Sequence, residues 1–470
     1  MQSGDDGAPG TDADLDKPTS RGELRQVLGL YDVTMLVMGS IIGAGVFHAP
    51  AAIAREMGSL GGVLAVWCLG GVIALSGALV FAELGGMMPR TGGEYVFVRA
   101  GAGRFAAFLF GWISLTAIIS SAIAYVAGVF VEHLELALVE ALGCAPFSRE
   151  LERGAATVLI VALALLNARG MRLGATVQNV AMGAKIAGIL VVIALGVAAW
   201  IGIAEPQPQA ALAAPAPWNW THVGAAMFGI VFTYGGWQNV AAAASEIRAP
   251  ERTLPLGTLL GTVGVVVLYL ALNVALVGVL GVAGVASSDT PVASAAGAVV
   301  PWGRTLVAWL VMTSTFAITQ VLLMLAPRIY LAMAQDGVFF ARIGRIHPRY
   351  GTPAFAILLQ AAFAVVYVFL AAHLGELIEV CSICDWVFFT TCGATLFVLR
   401  WRQPNAPRPY RAWGYPWVPA VFLVCSAGTL VRMTMSAQLG PVLQATALFT
   451  VGALLYWSWS RRSPATRDRQ

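Results

Sequence analysis

Two ionisable residues lie within long apolar stretches of this chain. Lys185 is part of the apolar run 176–203, and Asp385 is part of the apolar run 376–399. Arginine supplies almost all of the 28 basic residues, and the only lysines are Lys17 and Lys185. A lysine amine held away from water can lose its proton, whereas an arginine guanidinium stays protonated. Ionisable side chains inside membrane segments usually serve function, so both residues are candidates for coupling or binding.

A second kind of chemistry is available from the backbone at glycines. The stretch Gly39-Ser-Ile-Ile-Gly-Ala-Gly-Val-Phe47 puts three glycines into one apolar helix predicted over 31–54. Each glycine costs a helix interior roughly 1 kcal/mol relative to alanine. Unwinding would free peptide groups, which a membrane tolerates only beside protein or a water-filled cavity. On spacing alone, close helix packing through Gly39 and Gly43 is the more common reason for such glycines.

A second interrupted segment favours the binding interpretation. In the apolar run 221–246, the pair Gly235-Gly236 stands where Gly43 and Gly45 stand in the first run. Five apolar runs precede this second break, so the second half would enter the membrane with the opposite orientation. Inverted repeats with broken helices place a substrate site near the middle of the bilayer.

The composition is that of a protein that crosses the membrane many times. Of 470 residues, 58% are hydrophobic and 11% are charged, and the mean hydropathy is +0.77. Such values exclude an ordinary soluble domain. Twelve apolar runs are near or above the ~20 residues that a spanning helix needs. They are 32–55, 60–84, 101–131, 153–168, 176–203, 221–246, 256–282, 303–333, 353–372, 376–399, 416–436 and 441–459.

The predicted organisation is a repeat of five spans followed by two further spans. The ranges are a disordered tail at 1–30, repeats at 31–203 and 221–399, two helices within 416–459, and a second tail at 460–470. The first tail has no apolar core and does not predict a signal peptide. Most basic residues lie in the tails and in the loops on one side, which predicts cytoplasmic termini. We expect a plasma membrane (cell inner membrane) protein that contacts lipid headgroups and no nucleic acid.

Four motifs, in order over about 30 to 355, resemble the amino acid–polyamine–organocation (APC) superfamily. They are Gly39 to Phe47 with Pro50; Ala82-Glu-Leu-Gly85 to Pro89-Arg-Thr-Gly-Gly-Glu-Tyr95; Phe232-Thr-Tyr-Gly-Gly-Trp237 with Ser245 to Pro255; and Arg328 to Gly337 with His347 to Pro353. The most similar branch is that of the L-type amino acid transporters and their bacterial relatives. The resemblance implies a LeuT-like fold with discontinuous helices one and six. It also implies secondary active transport of amino acids by alternating access.

A zwitterionic amino acid needs partners for its carboxylate and its ammonium. Amides at a half-helix N-terminus attract the carboxylate, and freed carbonyls accept hydrogen bonds from the ammonium. The resemblance implies that Phe232 covers the substrate, whereas Tyr234 and Trp237 could equally fill the bundle. Family members often carry a hydroxyl where this chain has Ala44, so backbone amides alone are expected to bind the carboxylate. The expected substrate contacts are Ser40, Ile41, Ile42, Gly43, Ala44, Gly45, Val46, Phe232, Tyr234, Gly235, Trp237 and Gln238.

Lys185, Asp385 and Ser314 are the expected coupling residues. The resemblance implies that Lys185 lies where sodium-coupled members of the wider fold hold their ion, and therefore that transport is sodium-independent. The alternative for Lys185 is a permanently charged amine bonded to carbonyls near the first break, and Ser314 is a candidate hydroxyl partner. Relatives tend to carry asparagine in place of Asp385, which would either take up a proton or select cationic side chains. Proton symport and exchange both remain open.

Other charged residues are expected to be structural or to form gates. Glu83 and Glu94 follow the second span, and pairing with Arg90 or Arg99 is expected there. Glu246 and Arg248 are expected to close an inner gate in the same way.

The cysteines do not predict a metal site or a cofactor. The pair Cys381-x-x-Cys384 lacks a nearby histidine and predicts helix packing. Cys144 resembles the cysteine through which heteromeric L-type carriers join a glycoprotein, but a free thiol without such a heavy-chain partner is expected. A homo-oligomer is left open.

The expected substrate is a neutral amino acid, because both breaks carry small residues and no acidic side chain. A carrier or exchanger of cationic amino acids or polyamines is the alternative. A channel or a membrane receptor on the same scaffold is the alternative from a different class. We do not expect an enzyme, because the five histidines lie at span ends or in loops and no catalytic cluster is evident.

Overall fold

A computed structural model describes residues 24–203, 220–370, 374–436 and 439–462. Every named element within these ranges is helical. The α-helices are α1 Leu30–Ile41, α2 Gly45–Met57, α3 Leu60–Met87, α4 Glu94–Ile113, α5 Ile119–Leu142, α6 Arg149–Ala168, α7 Met171–Trp200, α8 Trp220–Thr233, α9 Pro250–Ser287, α10 Pro291–Val299, α11 Gly303–Leu325, α12 Pro327–Gln335, α13 Ala354–Leu370, α14 Leu374–Arg402, α15 Trp417–Ser436 and α16 Leu439–Arg462. A π-helical turn, Ser114–Ile118, joins α4 to α5, and a 3-10 helix, Asn239–Glu246, precedes α9.

The described helices account for all twelve predicted apolar runs. Nine segments are long and apolar enough to cross a membrane, and the bent pair α1 and α2 adds a tenth. The remaining two are the shorter apolar helices at His222–Thr233 and Ala354–Leu370. The prediction of an all-helical protein with many membrane spans is therefore confirmed.

Both predicted breaks are present. Ile42 follows α1 with an extended backbone at ψ 92°, and α2 begins at Gly45 with a 50° change of direction. In the sixth span, α8 ends at Thr233, and the 3-10 helix begins after Gly236, whose φ is +124°. Glycine adopts this backbone region without the steric cost that a Cβ would add.

Several helix contacts occur in pairs that are related by an exchange of the two halves. Helix α3 packs on α9, α5 on α11 and α6 on α13, which joins the second, third and fourth spans to the spans five places later. The contact of α7 with α11 is matched by that of α14 with α4, and the contact of α1 with α9 by that of α8 with α3. An inverted repeat of five spans would produce this pattern. The exact repeat boundaries remain predictions.

The last two helices lie outside this symmetric arrangement. Helix α15 packs against α14 and α3, and α16 packs against α14 and α4. They therefore cover one side of the bundle, where Phe422 of α15 packs against Trp237 beside the second break.

Candidate functional site

The two breaks lie directly against each other at the centre of the bundle. A Cβ atom added to Gly236 would lie 2.3 Å from the carbonyl oxygen of Ser40. A Cβ atom on Gly45 would lie 3.4 Å from Oγ1 of Thr233. The absence of side chains at these glycines therefore lets one interrupted backbone approach the other.

A tyrosine on α9 contacts the carbonyl end of both interrupted helices. The Tyr269 hydroxyl lies 3.3 Å from the Ile41 carbonyl oxygen and 3.5 Å from that of Thr233. Tyr269 is fully buried, and its ring packs against those of Trp67 and Tyr234. It was not singled out from the sequence, because a tyrosine in an apolar span is usually a packing residue.

Lys185 and Ser314 converge on the first break. The Lys185 amine donates a hydrogen bond of 2.7 Å to the Ile42 carbonyl oxygen, and the Ser314 hydroxyl donates one of 3.0 Å to the same atom. Both side chains are fully buried. The sequence placed these two residues near this break, and their part in coupling remains a prediction.

A cavity of about 220 Å³ lies beside the second break. Of the predicted contact residues, Phe232, Gly235 and Gln238 line it, whereas the segment from Ser40 to Val46 does not. The complete lining is Glu94, Phe110, Ser114, Ile118, Ile119, Ala122, Val231, Phe232, Gly235, Gly236, Gln238, Asn239, Ala242, Leu322, Leu325, Ala326, Ile329, Asp385, Trp386 and Phe389.

The π-helical turn between α4 and α5 forms part of this cavity. Ser114 and Ile118, its first and last residues, both line the cavity wall. Such turns often occur at functional sites because they redirect side chains within a helix. An extra residue in a helical turn leaves no clear mark in an apolar sequence, so this feature was not predicted.

Tyr234 and Trp237 pack within the bundle. The Tyr234 hydroxyl lies 3.3 Å from the Trp67 carbonyl oxygen. The Trp237 ring packs edge-on against Phe81, with 4.8 Å between ring centroids, and against Phe422. Neither residue lines the cavity, and substrate contact by either residue stays a prediction.

Two backbone features of the breaks bear on substrate binding. The Gln238 side-chain oxygen accepts a 3.0 Å hydrogen bond from the Gly236 amide, so Gln238 stabilises the second break. Helix α2 begins after Ala44 without a side-chain cap. Uncapped amides at a helix N-terminus attract anions.

Two carboxyl groups, those of Glu94 and Asp385, face the same cavity. Glu94 is the first residue of α4 and follows Gly92 and Gly93, whose φ values are +112° and +46°. The Gly92 amide donates to the Ala242 carbonyl oxygen at 2.9 Å, which holds this turn against the 3-10 helix. The turn directs Glu94 into the bundle.

The predicted pairing of Glu94 with Arg90 or Arg99 is therefore wrong. Arg99 forms an ion pair with Asp336, and Tyr95 donates to the same carboxylate at 2.9 Å. A sequence places Glu94 near arginines in a short connection, but it does not show that the turn points the side chain inward.

Glu83 also has partners other than the predicted ones. Its carboxylate accepts hydrogen bonds of 2.8 and 2.6 Å from the Arg400 guanidinium and one of 2.7 Å from the Ala412 amide, and Arg408 lies 3.2 Å away. Glu83 is fully buried near the end of α3, and its partners come from the last turn of α14 and from the segment that follows it. Long-range packing therefore determines the pairing.

Glu246 and Arg248 do not pair with each other. The Glu246 carboxylate accepts from Nε of Arg328 at 2.7 Å, and both side chains are buried. Arg248 is exposed and donates from Nε to the Gln26 carbonyl oxygen at 3.4 Å. A buried carboxylate requires a buried partner, and Arg328 at the start of α12 provides it. A gating role for Glu246 and Arg248 remains a prediction.

The cysteines of the described residues are free thiols. Cys381 and Cys384 are buried in α14, and Cys381 lies 2.9 Å from the Ser121 hydroxyl. Cys144 is half-buried in the connection before α6. No group of metal-binding side chains occurs within these ranges.

A family model described as amino acid permease matches residues 28–458. The chain belongs to this family. The permease is similar to the "Serine/threonine exchanger SteT" of Bacillus subtilis (strain 168), with 28% identity over 90% of this chain and 95% of the relative. It is similar to the mouse "b(0,+)-type amino acid transporter 1", with 26% identity over 95% and 92% of the two chains. It is also similar to the mouse "Large neutral amino acids transporter small subunit 2", with 27% identity over 86% and 76%.

These matches confirm the assignment to the APC superfamily and to its L-type-like branch. The relatives are named as amino acid transporters or exchangers, so the permease is an amino acid transporter and not an enzyme.

Proposed function

We propose that this permease exchanges neutral amino acids across the membrane by alternating access, without sodium. The approach of Gly236 to the Ser40 carbonyl oxygen supports this best, because it brings the free peptide groups of both breaks together. The α-carboxylate binds to the amides that open α2, and the α-ammonium binds to carbonyls at the ends of α1 and α8. The side chain extends into the cavity beside Phe232.

Sodium independence is proposed from the position of Lys185. Its amine donates to the Ile42 carbonyl oxygen at the end of α1, where the helix dipole is negative. A monovalent metal ion bound to such carbonyls would supply the same charge. A permanently charged amine at this position supports exchange, whereas an amine that loses its proton during the cycle would support proton symport.

Counterflow in proteoliposomes tests this function. Purified permease is reconstituted with unlabelled serine or leucine inside, and uptake of the labelled amino acid is followed in sodium and in potassium buffer. We expect uptake to be stimulated by internal substrate and to be equal in the two buffers. Uptake that needs sodium, or that internal substrate does not stimulate, would contradict the proposal, and the second result would favour a channel or receptor.

The location and orientation are part of the same proposal. We place the permease in the plasma membrane (cell inner membrane), with both termini in the cytoplasm. The bias of basic residues toward the loops on one side supports this orientation. A reporter that is active only in the cytoplasm, fused after residue 470, would test this orientation.

Transport of cationic amino acids is a second candidate function. The presence of Glu94 and Asp385 in the cavity favours it, because no basic side chain is among the residues of the cavity wall. Competition by arginine or lysine in the counterflow assay separates the two candidates.

A further inference from the structure

The cavity contains two acidic residues that have no part in the proposed binding at the helix breaks or in the contact of Lys185. Glu94 enters it from α4 and Asp385 from α14, so both carboxyl groups line one cavity. Phe232 and Gly235 of the second break line the same space. The cavity therefore connects the second break with both carboxyl groups.

The Glu94 carboxyl lacks a partner in the described part of the chain. Its side chain is buried, with 9% of the residue exposed, and its Oε1 atom has no hydrogen bond. Burying a carboxylate without a partner is costly, and a second carboxyl group in the same cavity increases that cost. The cavity wall itself holds no arginine, lysine or histidine to offset it. A proton on the pair or a cation bound in the cavity would offset this cost.

We propose that Glu94 and Asp385 form a binding subsite for the positively charged side chain of a dibasic amino acid, an ammonium or a guanidinium group. This inference rests on the proposed function, because the α-amino and α-carboxyl groups of the same molecule occupy the breaks. The permease thus accepts cationic amino acids in addition to small neutral ones. A proton occupies the pair when no cationic side chain is bound.

The rest of the cavity suits an organic cation better than a metal ion. Phe232 and Trp386 both line it, with 6.1 Å between their ring centroids, and aromatic faces attract organic cations. Two carboxyl groups among mostly apolar residues fall short of the six to eight oxygen ligands that Ca²⁺ takes. The volume of about 220 Å³ also leaves room for an alkyl chain that ends in the charged group.

Arginine and citrulline provide the direct comparison, because they have nearly the same shape and differ in side-chain charge. Inhibition of labelled serine counterflow is measured for each compound with the parent permease and with Asp385→Asn and Glu94→Gln. Glu150→Gln serves as the control, because Glu150 is exposed on α6, away from the cavity. We expect arginine to inhibit about tenfold more strongly than citrulline in the parent and in Glu150→Gln.

In Asp385→Asn and in Glu94→Gln, the ratio of arginine inhibition to citrulline inhibition, each measured against the serine counterflow of the same variant, should fall by about tenfold or more. Equal inhibition by arginine and citrulline in the parent would overturn the subsite, as would unchanged arginine inhibition in Asp385→Asn. If Glu94→Gln does not give monodisperse protein, the result for Asp385→Asn decides. A parent protein that gives no counterflow with any amino acid would overturn the proposed function itself, whereas normal serine counterflow without arginine preference overturns only the subsite.

Discussion

The Lys185 amine and the Ser314 hydroxyl donate to one acceptor, the carbonyl oxygen of Ile42. They come from α7 and α11, which belong to different halves of the bundle. The acceptor belongs to the residue that caps the C-terminus of α1, where the helix dipole adds negative potential. The first break is therefore bound by one amine donor and one hydroxyl donor.

Replacement of Lys185 by alanine should abolish most transport. The Ile42 carbonyl would lose its charged donor, and a cavity would replace a fully buried side chain. We expect serine counterflow to fall by about tenfold or more, since a hydrogen bond to a charged group contributes about 1.5–3 kcal/mol. Lys17→Ala is the matched control, because Lys17 precedes the spans. Parent-like counterflow in Lys185→Ala would show that the amine is dispensable.

Replacement of Ser314 by alanine should have a smaller effect. Only a neutral hydrogen bond is lost, which is worth about 1 kcal/mol, and Lys185 still donates to Ile42. Counterflow should therefore decrease by less than it does in Lys185→Ala. Because both donors share one acceptor, the effect of the double variant on counterflow, expressed as a free energy, should differ from the sum of the two single effects. Strict additivity of the two single changes would argue against a shared role.

Gly236→Ala should prevent the two breaks from approaching each other. The added Cβ would lie 2.3 Å from the Ser40 carbonyl oxygen, and alanine would have to adopt a φ of +124°. We expect the loss of counterflow and a lowered melting temperature. Gly229→Ala is the control, because it lies in α8 with no heavy atom within 4 Å of an added Cβ. A Gly236→Ala protein with normal transport would mean that the breaks do not need this contact.

Removal of one partner of the buried Glu246–Arg328 pair should strongly destabilise the permease. Both side chains are buried, and breaking such a pair costs about 3–5 kcal/mol because one charge is left uncompensated. Arg328→Gln should therefore lower the melting temperature in detergent. The double variant that also carries Glu246→Gln should regain part of the lost melting temperature. Glu251→Gln, an exposed change on α9, should have little effect. A double variant less stable than Arg328→Gln would contradict this interpretation.

The sequence was sufficient for the membrane spans and the breaks, because hydropathy and glycine act locally. The positions of Lys185 and Ser314 beside the first break could also be predicted, because a lone lysine in an apolar span needs a carbonyl or hydroxyl partner. Charge pairing could not be predicted in the same way. Glu94 turns inward because Gly92 and Gly93 adopt positive φ values against the 3-10 helix, a long-range contact with no local signature.

The aromatic residues show the same limit. Phe232 lines the cavity, whereas Trp237, five residues later, packs between Phe81 and Phe422. The chain between them is broken, so helical periodicity does not determine which of the two faces the cavity. The neighbouring helices determine it.

The double contact of Tyr269 has a mechanical consequence. Its hydroxyl lies near the carbonyl ends of both α1 and α8. If one half-helix moves away from the other, the hydroxyl loses contact with one of the two carbonyl oxygens. In the proposed alternating-access cycle, we expect a switch between inward-facing and outward-facing shapes to break at least one of these two contacts. Tyr269 lies outside the cavity wall, and its replacement should therefore change the rate of transport more than the affinity for substrate.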